Sequence, residues 1–318
     1  MIRPTACSLL LAALLIGGCT PVSPATVAGA PTASPVVSSP LLDDVRILSG
    51  DDMQGRDTGS VGGERARAYI VSRLEAMGVQ PASFDRLQPF EAPGRTREGV
   101  KRFSGVNIVG LIPGTRVADR YIVVTAHYDH VGINDSQIYH GADDNASGVA
   151  TMLELARRLK ADPPEHSVLI VALDGEERGL LGAREFVKAP PVPLSSVSLN
   201  LNFDMTARAE TDGHLWVTGG HQHPDLRRIL EPTPAQGAVS FAFGKDTPQD
   251  TGENNWVEAS DHAAFHAAGV PFLYMGVDYH PDYHRPSDTF ERIDPAVFTN
   301  ATDLAIAGFH ALDKALDR

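Results

Sequence analysis

Five short segments of this 318-residue chain concentrate imidazole and carboxylate groups. They are His127-Tyr128-Asp129, the run Gly141-Ala142-Asp143-Asp144-Asn145-Ala146-Ser147-Gly148, Asp174-Gly175-Glu176-Glu177, Asp204 in Asn202-Phe203-Asp204-Met205-Thr206, and His284 in Tyr283-His284-Arg285-Pro286-Ser287-Asp288. Imidazole and carboxylate are the donors that zinc and similar cations take from protein. A cation so held lowers the pKa of bound water from about 15.7 towards roughly 7, and a free Glu beside it can take the proton. Each segment alone has an ordinary reading. A His-x-Asp pair is commonly just hydrogen-bonded, Asx residues before a helix cap its free N–H groups, and paired Glu residues suit a helix start. Asp204, ending an apolar strand, is harder to dismiss, because a buried carboxylate needs a partner.

The surrounding pattern must bring these segments together. Apolar spacing predicts a helix over Gly62–Met77 stopped by Gly78, and strands over Val106–Ile112 and Tyr121–Ala126 joined by a Pro113-Gly114 turn. Further on it predicts a helix over Val149–Leu159, a buried strand over Val168–Leu173 and a helix over Leu180–Val187. Strands over Val197–Phe203 and Leu215–Val217 follow, then a helix over Asp261–Ala268, a strand over Val270–Met275 and a closing helix over Pro295–Leu316. Such alternation means an α/β fold, a mostly parallel mixed sheet flanked by helices on both faces, in one domain over residues 41–318. Three of the five segments fall at carboxyl ends of strands and another opens a helix, which is where ligands collect in an open parallel sheet. The stretch Ala235–Val257, with Gly, Pro, Asn and Trp256, reads as a rim or lid.

The apolar fraction is 42% with 21% charged residues, enough for a sizeable core, and the net charge is −13. No basic stripe accompanies that acidity, which excludes a nucleic-acid partner. Residues 1–18 read as an export signal, since the apolar run Ala6–Ile16 is too short to span a bilayer core of ~30 Å. Leu15-Ile16-Gly17-Gly18-Cys19 resembles a bacterial lipobox, with Cys19 as the lipidated residue; ordinary cleavage at Ala28-Gly29-Ala30 is the alternative. Residues 19–40, rich in Pro, Ser and Ala, read as a tether. The expectation is an exported protein that meets membrane only through a lipid anchor at Cys19, otherwise a periplasmic or secreted one. Cys7 and Cys19 are the only cysteines, so the folded body has neither disulfides nor thiolate ligands.

Taken in order, HYD, GADDNASG, DGEE, NFDMT and YHRPSD resemble the di-zinc exopeptidases that include bacterial secreted aminopeptidases, glutamate carboxypeptidases and glutaminyl cyclases. The resemblance runs from about Gly105 to the end of the chain. It implies a single zinc-exopeptidase domain with two zinc ions bridged by Asp144, one also held by His127 and Asp204, the other by Glu177 and His284. It implies Glu176 as general base, Asp129 as the carboxylate that orients His127, and a cis bond between Asp144 and Asn145. Tyr283, Asp261 and Arg285 are expected at the substrate: Tyr283 as donor to an oxyanion, Asp261 as a pocket-shaping residue or simply an N-cap, Arg285 as a basic group. Asp129 and Glu258 are available for a free α-amine. The remaining histidines, His130 and His280 among them, read as surface or loop residues. A peptide substrate and aminopeptidase action are expected, with carboxypeptidase action, glutaminyl cyclisation and a non-catalytic binding ectodomain as alternatives.

Overall fold

Unbroken apolar runs become the middle of the sheet, because a strand covered on both faces has no polar side to show. The computed structural model describes residues 39–317 except 84; the signal segment, Cys19 and all but the last two residues of the tether lie outside them. The strands are β1 (Gln80–Pro81), β2 (Leu87–Thr96), β3 (Gly99–Ile112), β4 (Val117–His127), β5 (Gly132–Asn134), β6 (Gln137–Tyr139), β7 (His166–Leu173), β8 (Val197–Phe203), β9 (His214–Thr218), β10 (Ser240–Phe243) and β11 (Phe272–Gly276). The α-helices are α1 (Pro40–Leu48), α2 (Val61–Ala76), α3 (Gly148–Ala161), α4 (Leu181–Lys188), α5 (Pro224–Leu230), α6 (His262–Ala267) and α7 (Pro295–Ala315).

Nine strands form one mixed sheet in the order β1-β3-β7-β4-β8-β11-β9-β10, with β2 paired to β3. The parallel character lies in the middle, where β7, β4, β8 and β11 all run the same way. Antiparallel β1, β2 and β3 flank them on one side, and β9, antiparallel to β11, on the other. Every residue of β7 and β8 is buried. Strand alternation splits the core in two. Ile122, Val124 and Ile170 pack with α1, α2, α3, α5 and α7 on one face, and Val123, Leu169 and Val171 pack with Phe186 of α4 and Phe265 of α6 on the other. Among the described residues no helix is long and apolar enough to cross a membrane.

The sequence signals that were strong land within a few residues, and Val197–Phe203 lands on its strand. Three elements differ from expectation. The β2–β3 hairpin is far longer than Val106–Ile112, because its outer half is a polar run that carries no apolar alternation. Helix α1 starts at Pro40, inside the segment read as tether, with Ser39 capping it. Within Ala235–Val257, Ser240–Phe243 extends the sheet edge beside β9 and Trp256 is buried, so that stretch is partly framework.

At the end of the sheet away from the five segments, Asp313 of α7 pins the start of β7. It accepts from the backbone N–H groups of Glu165 and His166 (2.8 and 2.9 Å) and from His166 Nδ1 (2.9 Å). Burial disfavours the His166 imidazolium, but Asp313 and Asp317 outweigh it and raise its pKa. Burial likewise opposes the Asp313 carboxylate, yet His166 and the two N–H groups hold its pKa below the usual value. His166 therefore contributes fully below its ordinary 6.5 and loses that contribution as pH rises through its raised value. Asp313 contributes above its ordinary 3.8 and loses it as pH falls through its depressed value. Asp313→Asn should cost about 3 kcal/mol by denaturant unfolding at pH 5–6, and less at pH 9. A cost that grows steadily with pH would contradict this assignment.

Candidate metal centre

The three parallel strands β4, β7 and β8 end at one edge, and each hands a chemical residue into the crevice beyond it. His127 is the last residue of β4, opposite Leu173 of β7. Asp174-Gly175-Glu176-Glu177 follows β7, turning through Gly175 at φ +76°, and Asp204 follows β8. The turn Ala142–Ser147 leads into α3 and presents Asp144. His284, at φ +53°, reaches back from the segment after β11.

Donor atoms converge in two sets that share Asp144. In the first, His127 Nε2 lies 3.5 Å from Asp144 Oδ1 and 3.3 Å from Asp204 Oδ1. In the second, His284 Nε2 lies 3.0 Å from Asp144 Oδ2 and 3.1 Å from Glu177 Oε1. Glu177 Oε1 is buried and, despite these approaches, has no aligned hydrogen bond among the described residues. Atoms that approach closely without aiming at one another are disposed towards a shared point, as ligands of an ion are. An all-nitrogen-and-oxygen donor set with two such points fits zinc. Glu176 belongs to neither set.

The backbone bearing Asp144 is shaped for this. The Asp144–Asn145 bond is cis, as the resemblance implied. Asn145 donates to the Phe203 carbonyl and accepts from the N–H groups of Gly148 and Met205 (3.0, 2.9 and 3.1 Å), which ties the turn to β8. Gly141 sits at φ +58°, and a Cβ there would meet Asp144 O at 2.1 Å; one on Gly148 would meet the Asn145 side chain at 2.2 Å. Asp288 braces this turn from the segment that carries His284. Its carboxylate accepts from the N–H groups of both Asp143 and Asp144 (3.0 and 3.1 Å). Asp143 in turn accepts from Ala207 N–H and from His280 Nε2 (2.7 and 3.0 Å).

Asp129 acts differently from expectation. His127 Nδ1 meets the backbone carbonyl of Asp129 at 3.1 Å, and the Asp129 carboxylate is 3.8 Å away. That carboxylate instead accepts from the N–H groups of Glu176 and Glu177 (3.0 and 3.2 Å) and from the Thr58 hydroxyl (3.3 Å). Being fully buried and so engaged, it is not free for a substrate amine. Two residues at the strand end share the work, the carbonyl fixing the imidazole and the carboxylate fixing the two glutamates.

Several of these carboxylates face each other away from water. Burial raises the Glu176 pKa well above its usual value; His127 opposes this, while Glu177, Asp261 and Asp204 add to it. Burial lifts Asp261 to about 7 and, with Asp143, lifts Asp288 to about 6. Burial disfavours His127 and His284 as cations, but the surrounding carboxylates prevail, raising His127 well above normal and His284 to about 11. Cations placed among these groups would reverse the cost of ionising every carboxylate there.

The substrate candidates separate. Tyr283 stacks on the His284 ring (centroids 4.0 Å, 20°) and lines two cavities that meet at Glu176. Asp261 is fully buried, with neither carboxylate oxygen hydrogen-bonded among the described residues, and lines neither cavity. Arg285 is exposed and lines neither. The smaller cavity, about 30 Å³, is walled by Met205, Trp256, Tyr274, Val277 and Tyr279. The larger, about 740 Å³, opens past Leu180, Val187 and Ala267, with Arg95, Arg184, Lys188 and Glu258 on it.

Sequence reading missed three residues. His130 and His280, read as surface or loop, are buried, His130 completely: His130 packs against Gly141 and His280 against Asp143, both at the turn that carries Asp144. Arg56 is also fully enclosed and donates to four backbone carbonyls, those of Tyr128, Leu48, His140 and Gly141 (2.6–2.9 Å). His130 was within reach of sequence reasoning, one residue past His127-Tyr128-Asp129; nothing local marked Arg56.

The profile of peptidase family M28 matches residues 107–308. Aminopeptidase YwaD of Bacillus subtilis is 31% identical over 213 residues, 64% of this chain and 44% of that protein. The probable lipoprotein aminopeptidase LpqL of Mycobacterium tuberculosis is 30% identical over 273 residues, 77% of this chain and 52% of that one. The chain thus spans about half the length of these two curated relatives. The crystal structure of BSAP, a zinc aminopeptidase from Bacillus subtilis, shares the fold with a TM-score of 0.67 at 19% identity, over 87% of this chain and 94% of that one. With strand ends, turn and donor sets arranged as described, and a profile match over most of its length, the chain belongs to peptidase family M28.

Proposed function

We propose that the protein is a two-zinc aminopeptidase, with His127, Asp144 and Asp204 holding one ion and Asp144, Glu177 and His284 holding the other. The single observation that carries this is the sharing of Asp144 by two converging donor sets, with Glu176 outside both and facing the cavities. When bound, the ions supply Lewis acidity that polarises the scissile carbonyl and makes water acidic enough to attack at neutral pH. Glu176 takes the proton from the attacking water and returns it to the leaving amine. Its main chain is anchored by Asp129, so the carboxylate is positioned without being tied up. The Tyr283 hydroxyl donates to the oxygen on which charge develops.

The cavities support exopeptidase action. The pocket walled by Met205, Trp256, Tyr274, Val277 and Tyr279 would take the side chain of the terminal residue, and those bulky walls favour a small apolar one. The rest of the peptide would leave through the open groove. One feature favours the second reading, carboxypeptidase action. Arg95 and Arg184 on the groove carry no ion pair among the described residues, and either could receive a carboxylate on the leaving side. Arg95, Arg184 and Lys188, not Arg285, are the basic groups on the groove. Export and a lipid anchor at Cys19 belong to this proposal too; LpqL, named a probable lipoprotein, supports them.

Zinc-loaded protein should hydrolyse Ala- and Val-initiated peptides whose carboxyl end is amidated, faster than Trp-initiated ones. Turnover only of acetylated peptides with a free carboxyl end would replace this reading with the carboxypeptidase one. Cyclisation of an amino-terminal Gln would indicate the cyclase, and inactivity on all of them with metal bound a binding module. Glu176→Ala should lower kcat by about a thousandfold or more with zinc content near wild type by elemental analysis. Loss of zinc in that variant would mean the roles of Glu176 and Glu177 are exchanged. Asp144→Ala should lose both ions, and retention of two would refute the bridge.

A further inference from the structure

We infer that His130 is a fourth protein ligand of the second metal position, so that the two ions are held unequally: one enclosed by His130, Asp144, Glu177 and His284, the other by His127, Asp144 and Asp204 alone. The inference rests on the two-metal reading above and adds a residue that reading does not use.

The His130 ring is completely buried, and neither of its nitrogens has a hydrogen-bond partner among the described residues. A core imidazole is ordinarily satisfied by a carbonyl, a carboxylate or water, so two orphaned nitrogens need a physical reason. Nδ1 faces the donor set: it lies 2.8 Å from Glu177 Oε1, which is itself unaligned with any donor, and 3.8 Å from Asp144 Oδ2. The other two measured edges, from His284 Nε2 to Asp144 Oδ2 and to Glu177 Oε1, are 3.0 and 3.1 Å. Ligand atoms about 2.0–2.1 Å from zinc at tetrahedral angles lie about 3.3 Å apart, and these four edges scatter around that value. The four donor atoms all fall within 4.8 Å of one another. Room for the ring is made by Gly141, where a Cβ would come within 2.6 Å of the imidazole. The ring also meets His284 edge to face at 5.7 Å, so both imidazoles approach the same point from different sides.

Four protein donors close a tetrahedral shell, whereas three leave a position open. The second position would therefore hold its ion tightly while the first exchanges, and the open coordination sites for substrate and water would lie mainly on the His127 side.

The test is zinc retention, read by elemental analysis of protein equilibrated with a chelator of known affinity. Wild type should lose its ions in two steps, keeping one per chain over at least a hundredfold range of free zinc. His130→Ala should merge the steps, with the tighter dissociation constant raised at least a hundredfold. His130→Gln keeps an N–H that can reach Glu177 but supplies a poor zinc donor, and should behave like the Ala variant. Retention like wild type in His130→Ala would overturn the inference. So would retention like wild type in His130→Gln alone, which would make His130 a donor to Glu177 and not a ligand. Equal unfolding midpoints of the metal-free proteins would show that the variants fold, and if His130→Ala does not, His130→Gln decides. Wild type that binds no zinc would sink the two-metal reading itself, a result distinct from two bound ions insensitive to position 130.

Discussion

Carboxylates do not collect away from water unless something positive is set among them, and this requirement governs the architecture around the strand ends. Asp129, Asp143, Asp144, Asp204, Asp261 and Asp288 are all buried within one region, with Glu176 and Glu177 beside them. An isolated buried carboxylate would protonate sooner than pay the full desolvation cost. The chain lowers that cost with three kinds of partner: backbone N–H groups on Asp129 and Asp288, imidazoles on Asp143, Asp144 and Glu177, and the enclosed guanidinium of Arg56. Arg56 is informative because it pairs with no carboxylate among the described residues. Burial pulls its pKa down to about 10, with the charges of Asp144, Asp288, Asp129 and Glu177 opposing that pull. Its N–H groups are spent on carbonyls, so its charge acts through space while its fork fixes the chain.

The same groups that neutralise the cluster also position it. Arg56 joins the ends of α1 and β4 to the residues just before the turn that carries Asp144. Asp288 joins that turn to the segment carrying His284, and Asn145 joins it to β8. Geometry and charge are therefore not separable here: removing a neutralising partner also removes a tether. Sites held this way keep ligand atoms at fixed separations before any ion arrives, which lowers the ordering cost of binding.

Much of this was legible in the sequence. The parallel centre announced itself through unbroken apolar runs such as Val168–Leu173, and the strand ends placed His127, Glu177 and Asp204 at one edge. The ordered motifs supplied Asp144 and His284. What stayed hidden was contact at long sequence range. Arg56 acts on carbonyls 72 to 85 residues away, and no local pattern tells a buried arginine from a surface one. Asp129 was assigned to the right neighbourhood with the wrong partner, because spacing along a strand sets which face a side chain takes, not which of its polar atoms is nearest. The polar outer half of the β2–β3 hairpin was missed since its order comes from pairing, not from a buried face.

The proposed division of labour between Glu176 and Glu177 draws on that strand-end geometry. The two residues are adjacent, and both of their N–H groups are held by the one carboxylate of Asp129, so the local main chain cannot rotate to exchange them. Their side chains then diverge. Glu177 turns to His130 and His284, whose imidazoles hold its pKa well below the usual range despite burial. Glu176 faces the cavities, where burial and neighbouring carboxylates push its pKa up. One residue is thus suited to remain a permanent anion, as a ligand must, and the other to gain and lose a proton, as a base must. Identical side chains acquire opposite proton affinities because one meets the imidazoles of His130 and His284 while the other lies buried among Glu177, Asp261 and Asp204.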